Sequence, residues 1–214
     1  MEYSSQELGV RSWEFAWPRL RERISNVPGF RLLAHSFMTT YCDAAQGHEW
    51  HGPYHDSEYG FPLESDAELF ERLMLEINQA GLSWVTILKK REAFRRAYSG
   101  FDPDVVSAYG DADRVRLLAD PGIIRNRLKV DAAIINAKRI LELRKSHGSF
   151  AGWLTAHHPR SKDEWVKLFK QTFRFTGGEI VNEFLMSIGY LPGAHTPSCP
   201  VYSVVLARRP PWSR

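Results

Sequence analysis

The chain has 214 residues, of which 43% are hydrophobic and 25% charged, with a formal net charge of +3. That composition describes one or two ordinary folded domains with a sizeable core, and it excludes a long disordered chain. The sequence shows no apolar run of bilayer length and no secretory leader, so the expectation is a cytoplasmic protein.

Residues 1–37 give conflicting signals. Trp13, Ala16, Trp17 and Leu20 fall at helical spacing, while Trp13, Phe15 and Trp17 alternate as in a strand. We expect this segment to be an extension, disordered or untranslated, with Met38 as the true start. Residues 42–62, rich in His, aromatics, Gly and Pro, read as loop.

A helix is expected from about 66 to 80, opened by a capping box at Ser65-Asp66-Ala67-Glu68. Its apolar stripe is Leu69, Phe70, Leu73, Met74, Ile77 and Ala80, with Glu76 just outside that arc and Gln79 further round. After Gly81 comes a helix over about 83–98 that carries Trp84 and the cations Lys89, Lys90, Arg91, Arg95 and Arg96. A carboxylate at a pocket edge, an aromatic platform and cations suited to phosphate are a set for reading a base on nucleic acid. The alternative is a plain amphipathic helix with a wet border. Residues 85–145 hold 14 Lys/Arg against 8 Asp/Glu, so positive charge concentrates mid-chain.

Short helices are expected over 103–109 and 111–118, then a tight turn at Asp120-Pro121-Gly122-Ile123-Ile124. A long helix follows to about 145, opened by Arg125, Arg127 and Lys129. This is the logic of a helix-hairpin-helix, whose turn amides and basic helix start hold a DNA phosphate; a plain helix-turn-helix packing unit is the alternative. Further helices are expected over 149–156, 163–172 and 177–189, and a poorly ordered tail over 201–214. Strand signals are nearly absent, so the expected class is all-α.

The chain's two cysteines, Cys42 and Cys199, join His55 and His195 in a Cys2His2 set suited to a closed tetrahedral zinc site. It would staple the two ends of the domain together. His48 and His51 are competing ligands in the same loop.

These residues, from Cys42 to Cys199, resemble the 3-methyladenine DNA glycosylase I family of helix-hairpin-helix glycosylases. The resemblance lies in Tyr54-His55-Asp56-Ser57-Glu58-Tyr59-Gly60, in Leu75 through Trp84, in Thr86 through Glu92, in Gly122 through Asn126, in Phe173-Arg174-Phe175, and in His195 and Cys199. It implies a glycosylase domain over about 38–200 with a structural zinc on Cys42, His55, His195 and Cys199. It implies release of N3-methyladenine, and of N3-methylguanine, from double-stranded alkylated DNA by a monomer, without a lyase step. Glu76 would recognise the extruded base as the catalytic carboxylate. Tyr54, Tyr59, Trp84, Gln79 and His51 would surround it, and Gly122, Ile124, Arg125, Arg127 and Lys129 would meet the DNA phosphates.

The chain departs from the family pattern in four places. Ala44 and Tyr59 each stand where the family has Trp, His51 where it has Tyr, and the stretch between Gly152 and Trp165 is shorter. A binding module without catalysis and a glycosylase for bulkier alkylpurines are the alternative functions.

Overall fold

The computed structural model describes residues 40–214. They fold into eleven α-helices with no strand among the described residues. The expectations for residues 1–37 and Met38 lie outside the described residues.

Two helices stand where loop was expected: α1, Tyr41–Ala45, and α2, His51–Ser57. Local chemistry permits them. The Thr40 hydroxyl accepts from Asp43 N while the Asp43 carboxylate accepts from Thr40 N, which closes a capping box on α1. His48 Nδ1 accepts the amides of Trp50 and His51 and so caps α2. Pro53 sits in the first turn of α2, where a missing N–H costs nothing.

α3, Asp66–Gln79, is the axis of the domain. It packs against α4 (Trp84–Ala97), α5 (Pro103–Ser107), α7 (Arg127–His147), α8 (Phe150–His157) and α10 (Gly178–Ser187). Every residue from Leu69 to Asn78 is buried, so the single apolar arc seen in the sequence is only part of the enclosed surface. The expected capping box of α3 is absent. Ser65 makes no side-chain cap. Asp66 instead accepts Phe150 N at 2.7 Å and pairs with Arg144 at 3.0 Å, tying the start of α3 to α8 and α7.

Burying α3 encloses charge, and partners compensate it. Arg72 donates to Tyr54 Oη at 3.1 Å and to Glu58 Oε2 at 3.0 Å. Arg91 of α4 bridges Glu58 and Glu71, and Arg95 pairs with Glu71 at 2.9 Å. The far end of α3 is closed by Lys129, whose Nζ donates to the Asn78 and Ala80 carbonyls, both at 2.9 Å.

α6, Asp111–Ala119, and α7 flank the expected turn. α7 is capped by Asn126, whose side chain accepts from Lys129 N. α9, Lys162–Thr172, and α10 follow. Trp165 of α9 and Phe184 of α10 bury their rings in one core with Phe70, Phe94, Phe150 and Phe169.

The tail differs from expectation. α11 spans Pro200–Ala207 and a 3-10 turn spans Pro211–Ser213. Pro200 occupies the first position of α11, where its fixed φ suits a helix start. Trp212 N donates to Gly189 O at 3.1 Å. Gly189 has φ +73°, and a Cβ there would lie 2.8 Å from Pro210 and 2.9 Å from the Gly60 carbonyl. Only glycine fits, so the tail is packed against the domain.

Lys129→Met should lower the unfolding free energy by about 1–3 kcal/mol, because two helix-end carbonyls lose their charged donor. Arg125→Ala should change it by less than about 0.5 kcal/mol. Urea denaturation of both variants checks this contrast.

Candidate functional site

Glu76 lies within electrostatic reach of three tyrosines, Tyr41, Tyr54 and Tyr59, that belong to an aromatic cluster. α2 supplies Tyr54, the loop after it Tyr59, α4 Trp84 and Leu88, and α1 Tyr41. Tyr54 meets Trp84 edge-on at 5.2 Å between centroids and Tyr59 at 5.7 Å. Tyr41 lies edge-on to Tyr59 at 5.2 Å. The Arg72 guanidinium sits 4.9 Å over the Tyr54 ring. Trp84 begins α4 because Ser83 caps it, accepting from Thr86 N. The buried Trp84 Nε1 has no acceptor among the described residues.

Glu76 was expected on the border of α3, yet it is only 4% exposed. No hydrogen bond or ion pair to its carboxyl occurs among the described residues. Its pKa is pushed up to about 8, mainly by burial and further by Glu183, with Arg72 opposing. A neutral carboxyl at neutral pH follows. A positive charge entering beside it would favour the carboxylate.

Of the other expected site residues, Tyr54, Tyr59 and Trp84 gather at this place. His51 borders it through Tyr41, with Nδ1 3.2 Å from the Tyr41 hydroxyl. Its pKa is lowered, first by burial and then by His48, which favours a neutral ring. Gln79 is half-buried at the end of α3, and Ala44 is exposed on α1.

Three participants carry no distinguishing signal in the sequence: Tyr41 is a lone aromatic before Cys42, Arg72 one cation within α3, and Glu183 one acid within α10. Tyr59 donates its hydroxyl to Glu183 Oε2 at 3.1 Å.

The second constellation is the Cys42, His55, His195 and Cys199 cluster, whose ligand atoms all lie within 4.8 Å of one another. Cys199 Sγ is 3.6 Å from His55 Nε2 and 3.7 Å from His195 Nδ1. Cys42 Sγ is 3.9 Å from His195 Nδ1, and the two ring nitrogens are 3.1 Å apart. A tetrahedral ion with bonds of about 2.0–2.3 Å needs ligand separations of roughly 3.3–3.8 Å, so the set fits a metal.

The outer hydrogen bonds agree. His195 Nε2 donates to Tyr59 O at 2.7 Å, and His55 Nδ1 pairs with Asp56 at 2.7 Å. Each bond leaves the opposite nitrogen to ligate. His48 is engaged in capping α2 and His51 in meeting Tyr41, so neither competes. A surface cavity of about 390 Å³ opens on Cys42, His55 and Cys199.

At the turn between α6 and α7, Arg125 and Arg127 are exposed, while Ile124 is half-buried. Gly122 N already donates to Asp120 Oδ1 at 2.7 Å, and Lys90 donates to the Pro121 and Gly122 carbonyls. Lys129 does not belong with the phosphate set. It is 5% exposed and its ammonium is committed to the end of α3.

The all-helical domain thus buries a carboxyl beside aromatic rings and exposes a pair of arginines at a helix turn, an arrangement suited to an enzyme. The family model described as methyladenine glycosylase matches residues 44–166. DNA-3-methyladenine glycosylase 1 of Escherichia coli is 36% identical over 168 residues, covering 70% of this chain and 89% of that protein. The Haemophilus influenzae DNA-3-methyladenine glycosylase is 34% identical, covering 76% of this chain and 98% of that one.

Two solved structures are also similar. A crystal structure of a 3-methyladenine DNA glycosylase I variant in complex with 3-methyladenine superposes with a TM-score of 0.69 at 31% identity, covering 75% of this chain and 96% of that one. The Staphylococcus aureus enzyme, solved to explain its 3-methyladenine recognition, gives a TM-score of 0.69 at 31% identity, covering 76% and 96%. The chain belongs to the methyladenine glycosylase family.

Glu76→Gln should stabilise the fold. In the unfolded chain Glu76 titrates near 4.5, and in the fold near 8. Between those values the folded state binds more protons, so stability falls as pH rises through this window. The whole cost is present above about pH 8. The variant should therefore be more stable than wild type by about 4 kcal/mol at pH 8 and equal to it below about pH 4, read by urea denaturation across pH.

Proposed function

We propose that this protein excises N3-methyladenine from alkylated duplex DNA by hydrolysing its N-glycosidic bond, as a cytoplasmic monomer without a lyase step. The observation that carries the reading is the buried, unpaired Glu76 carboxyl beside Tyr54 and Tyr59.

Methylation at N3 puts a positive charge on the purine, so its glycosidic bond is already weak. The protein's work is to hold the base out of the stack and admit water. Burial holds Glu76 neutral in the empty pocket. A cationic base beside it makes the carboxylate the favoured form, with the proton leaving to solvent. Charge and ring faces together then prefer the methylated base over ordinary adenine. Tyr54 and Trp84 stack around the base, Tyr59 closes the side, and His51 and Gln79 lie at the rim. The same site would take N3-methylguanine, which carries the same ring charge.

The helix-hairpin-helix reading of α6, the turn and α7 is supported by exposed Arg125 and Arg127. Ile124 and Gly122 give the turn its shape, and the following helix start presents amides to a phosphate. Phosphate contacts at this turn would position the duplex and leave base choice to the pocket.

Cys42, His55, His195 and Cys199 would hold zinc. Bound there, zinc supplies no reaction chemistry and fastens α1, α2 and the 194–199 loop together. This reading makes residues 40–214 one catalytic unit, with α11 as its last helix.

The test is release of 3-methyladenine from methylated duplex DNA by wild type and Glu76→Gln side by side. Wild type should release it, with kcat/KM lowered at least about tenfold in the variant. Equal release by both would discard the role given to Glu76. Prolonged chelation should lower the melting temperature, and Cys199→Ser should bind less than one zinc per chain by elemental analysis. A full zinc complement in that variant would count against the ligand set.

A further inference from the structure

α10 carries a second carboxyl toward the aromatic cluster. Glu183 accepts the Tyr59 hydroxyl on Oε2 at 3.1 Å, and its Oε1 meets Asn182 Nδ2 at 3.4 Å. No Lys or Arg lies within ion-pair distance of it among the described residues. The nearest cation on its surface side, Lys162, is paired with Glu179 at 3.4 Å. α10 packs directly on α3, which carries Glu76. Tyr59 thus stands between a buried carboxyl, Glu76, and a half-buried one, Glu183, one from each of two packed helices.

We propose that Glu183, held by Tyr59, is the second carboxylate of the base pocket, and that Glu76 and Glu183 together select purines bearing a positive ring charge. This rests on the reading of the site as a base pocket. Arg72 is already shared between Tyr54, Glu58 and the Ser187 carbonyl, so it cannot neutralise both acids. Burial raises the pKa of Glu183, and Glu183 in turn raises that of Glu76, so the empty pocket favours protons on the pair. A flat cation can replace a proton there. A neutral purine cannot, so it gains no Coulomb attraction from the pair. No covalent step is involved, since the displaced proton leaves to solvent.

A purely structural account would make Glu183 only the acceptor that orients the Tyr59 ring. Glu183→Gln separates the two, because Gln keeps the shape and the acceptor oxygen but removes the charge. Two probes are titrated into folded wild type and variant. One is 3,9-dimethyladeninium, a permanent cation with the lesion's substitution pattern. The other is duplex DNA carrying one neutral 3-deaza-3-methyladenine.

The expected result is an affinity for the cation about tenfold lower in Glu183→Gln, with affinity for the neutral duplex unchanged. Tyr59→Phe, which frees the Glu183 carboxylate from its donor, should shift the cation affinity in the same direction by a smaller factor. Wild-type affinity for the cation in Glu183→Gln would overturn the proposal. So would equal weakening toward both probes, which is the signature of a shape effect. If wild type binds neither probe, the base-pocket reading itself fails, and that is distinct from a wild type that binds the cation with no help from Glu183.

Discussion

The fold depends on enclosing a helix that is not wholly apolar. α3 is surrounded by five other helices, yet it carries Glu71, Arg72, Glu76 and Asn78 into the interior. A buried charge must be paired or neutralised, so the neighbouring elements are arranged around these groups. Arg91 and Arg95 of α4 answer Glu71, and Glu58 with Tyr54 answers Arg72. The compensation fixes how α2, α3 and α4 sit together. It also leaves one acid out. Glu76 lies beside rings where the others meet cations.

The two constellations are joined through one residue. The Tyr59 backbone carbonyl accepts from His195, a member of the metal-fitting cluster, while its side chain bonds Glu183 and faces Tyr54. The next residue, Gly60, donates its amide to the Ser187 carbonyl of α10. A ring in the pocket wall is therefore set by the same few atoms that close the cluster. Rigid support of this kind serves a site whose selectivity depends on ring positions and on the enclosure of a carboxyl.

Much of this was legible in the sequence for physical reasons. The helices from α3 to α10 announce themselves by periodicity, and the Cys and His residues by chemistry that has few other uses. α1 and α2 were hidden because their stability comes from capping by Thr40 and His48, and from a proline placed where it does no harm. Periodicity has nothing to say about so few residues. Glu76 was found but misplaced, because an amphipathic helix packed on one side leaves its border wet, and α3 is packed on all sides. Lys129 was read as a phosphate cation from its place at the start of a basic helix. Its side chain turns inward instead, where it supplies a donor to the carbonyls ending α3. Glu183 carried no signal at all, because its meaning arises only where α10 meets α3.

Gly60, Gly189 and Pro210 come from three distant parts of the chain and meet with no room for a methyl group. The last metal-fitting residue is Cys199, and the sequence alone suggests that the working unit stops there. Pro210 and Trp212 nonetheless lean on Gly189, just after α10, whose other close neighbour is the carbonyl of Gly60, just after Tyr59. The C-terminal residues thus buttress the end of α10, and a protein shortened to its apparent motif boundary would keep the Cys and His set while losing that support.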